Sequence, residues 1–355
     1  MAYKLPEIDA KTRPSFDTII DVRSPSEFAR DHIPGAINLP ALNDAERSLV
    51  GTTYTRKSRF LARRMGAAMV ARNVAHYLDT MLVDKPPQWK PLIYCWRGGQ
   101  RSGSFALVLR QIGWNCDTLD GGYRSYRRKV NAYLYDRALR HRIVLLDGQT
   151  GTGKTEILEV LAGMGHQVLD LENFARHRGS IFGAMSTPQP HQKMFESHLA
   201  AALGQFRTDK PTFIEAESSK IGERIIPPSL WNAMRKAPRI RVNASLNSRA
   251  HYTLRRYHEI ISDPKTVTTL LDHMRRFHGH AKVDTWQQHV ANGNFAQLAS
   301  ELIADHYDPR YSKSRANYDD TPETLMNISI QHLDPAGIAR AAETISSELE
   351  QVLAN

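Results

Sequence analysis

Two short segments carry residue types and spacings from which chemistry can be built. Cys95-Trp96-Arg97-Gly98-Gly99-Gln100-Arg101 follows the apolar run PLIYC and leads through Ser102 into SGSFALVLRQIG. A strand, a tight loop and a helix start turn successive backbone N–H groups inward and make a cradle for an anion. The helix dipole, Arg97 and Arg101 favour thiolate over thiol, so Cys95 reads as a nucleophile near pH 7. The glycines let the backbone curl around the bound anion. The second segment, Gly148-Gln149-Thr150-Gly151-Thr152-Gly153-Lys154-Thr155, satisfies G-x-x-x-x-G-K-[ST]. It follows the apolar run RIVLLD and opens TEILEVLAGMG, the context in which this motif wraps a diphosphate in backbone N–H groups. Lys154 would neutralise the phosphates and Thr155 could hold Mg²⁺. The motif specifies a phosphate chain and leaves open whether ATP carries it.

Other groups are read against plainer alternatives. A carboxylate for a metal or for base chemistry should stand at another strand end, and Glu215 in TFIEAES resembles such an acid. Glu217, Asp170 and Glu172 are rival candidates, and each acid taken singly also fits an ordinary surface loop. Cys116 reads as a buried structural cysteine or a resolving thiol. The HGH run at 278–280 has no evident third ligand. Between 123 and 142, tyrosines alternate with cations that include Arg124, Arg127, Arg128 and Lys129, a pattern suited to phosphate contact with base stacking or to a solvated linker helix. Arg56 and Lys57, with Arg59, Arg63 and Arg64, form a second basic patch. Arg255, Arg256, Arg275 and Arg276 are candidates for a lid at the mouth of the phosphate loop.

The elements that must position these groups alternate between strand and helix. FDTIIDV (16–22), residues 36–39, PLIYC and CDTLDGG (116–122) read as strands; residues 24–33, 58–82 and 102–113 read as helices. This predicts a small α/β domain with a parallel sheet over 1–130, followed by a basic linker helix over 131–142. A second α/β domain is expected over 143–250, with strands at 143–147, 167–170, 212–215 and 239–242. Residues 251–355 read as a mostly helical C-terminal part.

Length and composition bound the rest. The 355 residues suffice for two or three cored domains, and 41% apolar with 24% charged residues is a globular balance. Two cysteines exclude a disulfide framework and an all-cysteine zinc site. No run reaches the ~20 apolar residues of a membrane helix, and no leader is evident, so a reducing cytoplasm is expected. The net charge of +10 matches that of residues 1–140 alone, which hold 23 Lys+Arg against 13 Asp+Glu. A basic body of this kind fits a polyanionic partner.

Two resemblances add to this reading. DVRSPSEFARDHIPGAINLP (21–40) and LDGGYRSY (119–126) resemble the opening and closing signatures of rhodanese domains, and Cys95 falls where their reactive cysteine falls. Many rhodanese loops place the arginine five positions after the cysteine; here Arg101 is six after it. C-x5-R-S also matches a phosphatase signature, so a phosphatase coupled to a nucleotide-binding domain is the alternative. The longer loop suits a tetrahedral, phosphate-like donor. The whole arrangement, with CWRGGQRS, DGQTGTGKT, DLENFARHRGSIFG (170–183) and LIADHYDPRYSKS (302–314), resembles the tRNA 2-selenouridine synthase family. That resemblance implies an N-terminal rhodanese-like domain and a P-loop domain acting on the wobble 2-thiouridine of tRNA. It implies geranyl diphosphate to alkylate the sulfur and selenophosphate to replace the S-geranyl group by selenium, with no tightly bound cofactor. On this reading Cys95, Arg97 and Arg101 do the selenium chemistry within a loop completed by Trp96, Gly98, Gly99, Gln100 and Ser102. The phosphate loop from Gly148 to Thr155 binds the diphosphate, with Thr155 and Glu215 on any Mg²⁺, and Arg56, Lys57, Arg124, Arg127, Arg128 and Lys129 contact the tRNA.

Overall fold

Apolar runs buried on both faces become the inner strands of two parallel sheets. The computed structural model describes residues 2–8, 16–316 and 323–354 and divides into two units. The first comprises the chain up to Arg137 together with Pro190–Gln205. Its strands are β1 (Ala2–Tyr3), β2 (Thr18–Asp21), β3 (Ile37–Asn38), β4 (Pro91–Tyr94) and β5 (Asp117–Leu119), all parallel in the order β1-β5-β4-β2-β3. Every residue of β4 is buried, as a central parallel strand with helices on both faces requires. Ile20, Val22, Ile93, Phe105 and Leu109 pack into one core with both Cys95 and Cys116.

The second unit comprises Ala138–Gln189 and Phe206–Asn355. Its strands are β6 (Arg142–Asp147), β7 (Gln167–Leu169), β8 (Pro211–Glu215), the short hairpin β9 (Lys220–Ile221) and β10 (Arg224–Ile225), then β11 (Arg239–Ala244) and β12 (Thr324–Ile330). Five of them form a parallel sheet in the order β12-β11-β6-β8-β7. From β6 the chain first builds β7 and β8 on one side and only later β11 on the other. The crevice at the C-terminal end of β6 is therefore the switch point where such sheets bind ligands. The phosphate loop occupies it, and Lys154–Gly163 is the helix that the loop opens.

Two expectations are corrected, and two elements go beyond the sequence reading. The C-terminal part is mostly helical, as expected, and it also supplies β12, which completes the sheet as its edge strand; its alternating burial reflects a single covered face. Asp44–Arg56 forms a helix that the sequence pattern did not mark. It is capped by Asn43, whose side chain accepts from the Glu46 N–H while Glu46 reaches back to the Asn43 N–H. The basic linker is not one helix over 131–142. Gly122–Asn131 is α-helical, Ala132–Asp136 is a π-turn, and Arg137 is extended. The helix Gln192–Leu203 groups with the first unit despite its place in sequence, because Ser197 donates to Asp31 at 2.8 Å and Glu196 accepts from Tyr135 at 2.6 Å. Among the described residues no helix is long and apolar enough to cross a membrane.

Candidate functional site

Cys95 directly follows β4 and lies buried at the floor of its loop. Its Sγ accepts from the Ser102 hydroxyl at 3.2 Å and the Gly99 N–H at 3.3 Å. Burial raises the pKa of the thiol, but the Ser102 hydroxyl and the N–H groups of Ser102, Gly99 and Arg97 outweigh it, and the net shift is downward. The loop is fastened by the segment after β5. The Tyr123 N–H donates to the Cys95 carbonyl at 2.8 Å and the Arg124 N–H to the Trp96 carbonyl at 3.1 Å. Gly98 and Gly122 both have positive φ, and a Cβ on Gly122 would lie 2.3 Å from the Cys95 oxygen. Trp96 is partly exposed and stacks on Tyr123 with ring centroids 5.3 Å apart.

The two loop arginines differ. Arg101 turns to Glu27 at 3.0 Å, a carboxylate it shares with Arg47 at 2.8 Å, while Arg97 stands exposed on the loop. The thiolate is thus favoured by a hydroxyl and backbone amides rather than by a guanidinium. Cys116 donates to the Ala106 carbonyl at 3.4 Å, and burial pushes its thiol up, as suits a structural cysteine. Arg127, expected on a nucleic-acid surface, is instead largely buried in an ion-pair network with Glu196 and Asp31. Lys129 pairs with Glu7 at 2.5 Å. Arg124 and Arg128 are exposed, as are Arg56 and Lys57.

In the second unit the phosphate loop borders a cavity of about 420 Å³. Lys154 Nζ donates to the Gly148 carbonyl at 2.9 Å and lies 3.6 Å from Glu215. A Cβ on Gly148 would meet the Val242 oxygen at 2.5 Å, and one on Gly153 would meet Ile338 at 2.6 Å, so the loop backbone is seated against β11 and the C-terminal helix Pro335–Ala354. Arg249 supports it from outside, bidentate to Asp308 at 2.8 Å and 3.3 Å from the Thr150 carbonyl. Oxygens of Glu172, Glu215 and Glu217 lie within 4.8 Å of one another, and Thr155 donates to Glu215 at 3.1 Å. Burial, then the Glu215 charge, pushes the Glu172 and Glu217 carboxyls well above the usual range. This oxygen-only donor set fits a hard divalent cation. Of the four expected lid arginines only Arg256 lines the cavity. Arg255 pairs with Glu156, Arg275 pairs with Asp272 and Asp284, and Arg276 lies over Phe277. Arg178, Arg235 and Arg310 line it instead.

A second, almost wholly apolar cavity adjoins the first. Phe182, Leu254, Ile260, Phe295 and Leu298 contribute to its wall. Thr150, Ser180, Thr253, Tyr257 and Tyr307 line both cavities and so mark their common boundary. Reading single residues missed Arg178, Tyr257, His306, Tyr307 and Arg310. Four of these five lie within the segments 170–183 and 302–314, so the signal was present as sequence pattern without an assigned role.

A cysteine cradle on one parallel α/β unit and a phosphate loop at the switch point of another define a rhodanese-like domain fused to a P-loop domain. The rhodanese-like domain family matches residues 6–129, and the tRNA 2-selenouridine synthase AAA domain family matches residues 141–268. A tRNA 2-selenouridine synthase of Chromohalobacter salexigens is 33% identical over 88% of this chain and 90% of its own length. One of Hahella chejuensis is 32% identical over 90% and 79%. One of Nitrosomonas europaea is 39% identical over 65% of this chain, the aligned stretch spanning 61% of the relative's length. The chain belongs to the tRNA 2-selenouridine synthase family.

Proposed function

We infer that this protein is a transferase converting the wobble 2-thiouridine of tRNA to 2-selenouridine in two steps, S-geranylation by geranyl diphosphate and replacement of the S-geranyl group by selenium from selenophosphate. The observation that carries the reading is the apolar cavity adjoining the phosphate loop. A nucleotide base needs polar edges at its site, whereas this wall offers a hydrocarbon surface next to diphosphate donors. In the first step the thiocarbonyl sulfur attacks C1 of the geranyl chain and the C1–O bond breaks. The loop amides, Lys154 and the cavity arginines stabilise the departing diphosphate. A divalent cation held by Thr155, Glu172, Glu215 and Glu217 would supply further charge there.

The Cys95 loop serves the second step. Electron balance places the attack of the thiolate at phosphorus: an S–P bond forms, the P–Se bond breaks and selenide leaves; water then cleaves the S–P bond, releasing phosphate and restoring the thiolate. Direct transfer of neutral selenium to sulfur would instead leave the phosphorus reduced. Selenide then attacks C2 of the alkylated base, and geranylthiolate departs, a far better leaving group than the unalkylated sulfur. Arg97 and the loop amides hold the phosphate portion. The deciding experiment is nucleoside mass spectrometry after incubation with thiolated tRNA, geranyl diphosphate and selenophosphate, omitting one at a time. S-geranyl-2-thiouridine without selenophosphate and selenouridine with both are expected; selenouridine formed without geranyl diphosphate would overturn the two-step route.

A further inference from the structure

Alkylating the sulfur of 2-thiouridine leaves one proton to be removed. As the C2=S π pair becomes the new S–C1 bond, the N3–H pair must complete a C2=N3 double bond, so the N3 proton needs an acceptor. The geometry points to His306 as the base that takes this proton at Nε2, with His278 as its relay to solvent. The inference rests on the prenyl-transfer reading above.

His306 is 2% exposed and lines the phosphate-loop cavity. It lies in the π-turn Ile303–Tyr307, between the helices Phe295–Leu302 and Asp308–Ala316. Such a turn inserts an extra residue into the helical repeat and re-aims its side chains, often at a functional site. The next residue, Tyr307, stands on the boundary of the two cavities, where C1 of a prenyl diphosphate would lie. His306 Nδ1 is 2.8 Å from His278 Nε2. With Nδ1 engaged by His278, Nε2 is the ring nitrogen left to take a proton from the cavity.

His278 is only half-buried, on the helix Arg275–Ala291 beside the kink at Gly279. The pair therefore runs from the cavity wall towards solvent. Burial, Arg310 and His278 hold His306 down to about 4, and burial, Arg310 and Lys282 hold His278 down against the opposing pull of Asp305. Both rings are neutral at pH 7, so His306 has a lone pair to offer. The competing bases in the same cavity, Glu172, Glu215 and Glu217, cluster at the phosphate end beside Thr155 and Lys154.

The test is single-turnover S-alkylation of a thiolated anticodon stem-loop by geranyl diphosphate between pH 5 and 9. For His306→Ala the rate at pH 6.5 is expected to fall ~100-fold and then to rise with pH, whereas the wild-type profile is flat there. Added imidazole should restore part of the loss. A 5-fluoro-2-thiouridine substrate, with its more acidic N3–H, should shrink the defect, and geranyl diphosphate binding should be unchanged. If His306→Ala does not fold, His278→Gln decides. It keeps a hydrogen-bond acceptor but cannot pass the proton on, so its rate should drop ~10-fold in dilute buffer and recover in concentrated buffer. Wild-type rates in these variants, or a loss that neither imidazole nor the acidic substrate relieves, would overturn the assignment. If the wild type itself forms no S-geranyl product, the prenyl-transfer reading fails and this one with it; product from the wild type with an unaffected His306→Ala removes only the base.

Discussion

Burial alone would keep the proton on the Cys95 thiol; the Ser102 hydroxyl, the largest opposing influence, reverses that balance together with the loop amides. Ser102→Ala should therefore raise the thiol pKa, seen as a shift to higher pH in the rate of iodoacetamide alkylation, measured in a Cys116→Ser background. An unchanged profile would assign the lowering to the amides alone. Cys95→Ser should abolish selenium incorporation and spare S-geranylation, because on the proposed route only the former uses the thiolate. On the proposed route Lys154→Ala would remove a charged donor from the diphosphate, a loss of about 1.5–3 kcal/mol, so geranyl diphosphate binding should weaken roughly 10- to 100-fold. Equilibrium titration of the ligand checks this, and affinity within a factor of two of wild type would exclude a diphosphate contact.

At the scale of elements, both sites depend on loops pinned by a neighbouring strand end. The Cys95 loop keeps its shape because Gly98 and Gly122 let two backbones touch. Gly122→Ala should cost about 1–3 kcal/mol from backbone strain alone. It should also expel the loop and erase the enhanced reactivity of Cys95, which melting and alkylation together would show. In the second unit Glu215 ends β8, Glu217 follows it and Glu172 stands on the helix Leu171–Ala175. With Glu172 and Glu217 raised in the folded state, the native protein holds more protons than the unfolded chain above the ordinary carboxylate pKa. Their contribution is thus fully present below about pH 4.3 and is lost as pH rises towards the folded values. Glu172→Gln should flatten this decline in melting temperature. Mg²⁺ must displace those protons, so its stabilising effect should be larger at pH 8.5 than at pH 6. Equal shifts at both values would argue against binding by these carboxylates.

At the scale of the molecule, the positive charge of the first 140 residues is the feature that bears on the proposed tRNA partner. Arg127 is removed from that surface by its network with Glu196 and Asp31, so its reversal would test stability rather than binding. The exposed cations are the informative ones. Replacing Arg56, Lys57, Arg124 and Arg128 by glutamate should weaken tRNA binding and flatten its dependence on log salt, by roughly 0.7–0.9 for each phosphate that is no longer neutralised. Filter binding across a salt series decides it, and identical slopes would place the tRNA elsewhere.

The sequence by itself determined what depends on local chain order. The strand–loop–helix context of Cys95 and of the phosphate loop, and most of the inner strands, followed from apolar runs, glycines and the helices beside them. It was silent where function depends on distant residues meeting. The edge strand β12 alternates apolar and polar residues as a one-faced strand does, but nothing local in the sequence shows that it pairs with β11, nearly 80 residues earlier. Arg101 and Arg127 look alike as free cations in sequence, yet Glu27, Asp31 and Glu196 claim them in the fold. The three-carboxylate cluster, the apolar cavity and the His306–His278 pair draw on separate helices and loops. Burial and proximity set their protonation and their access to ligand, and both come into being only when the chain has packed.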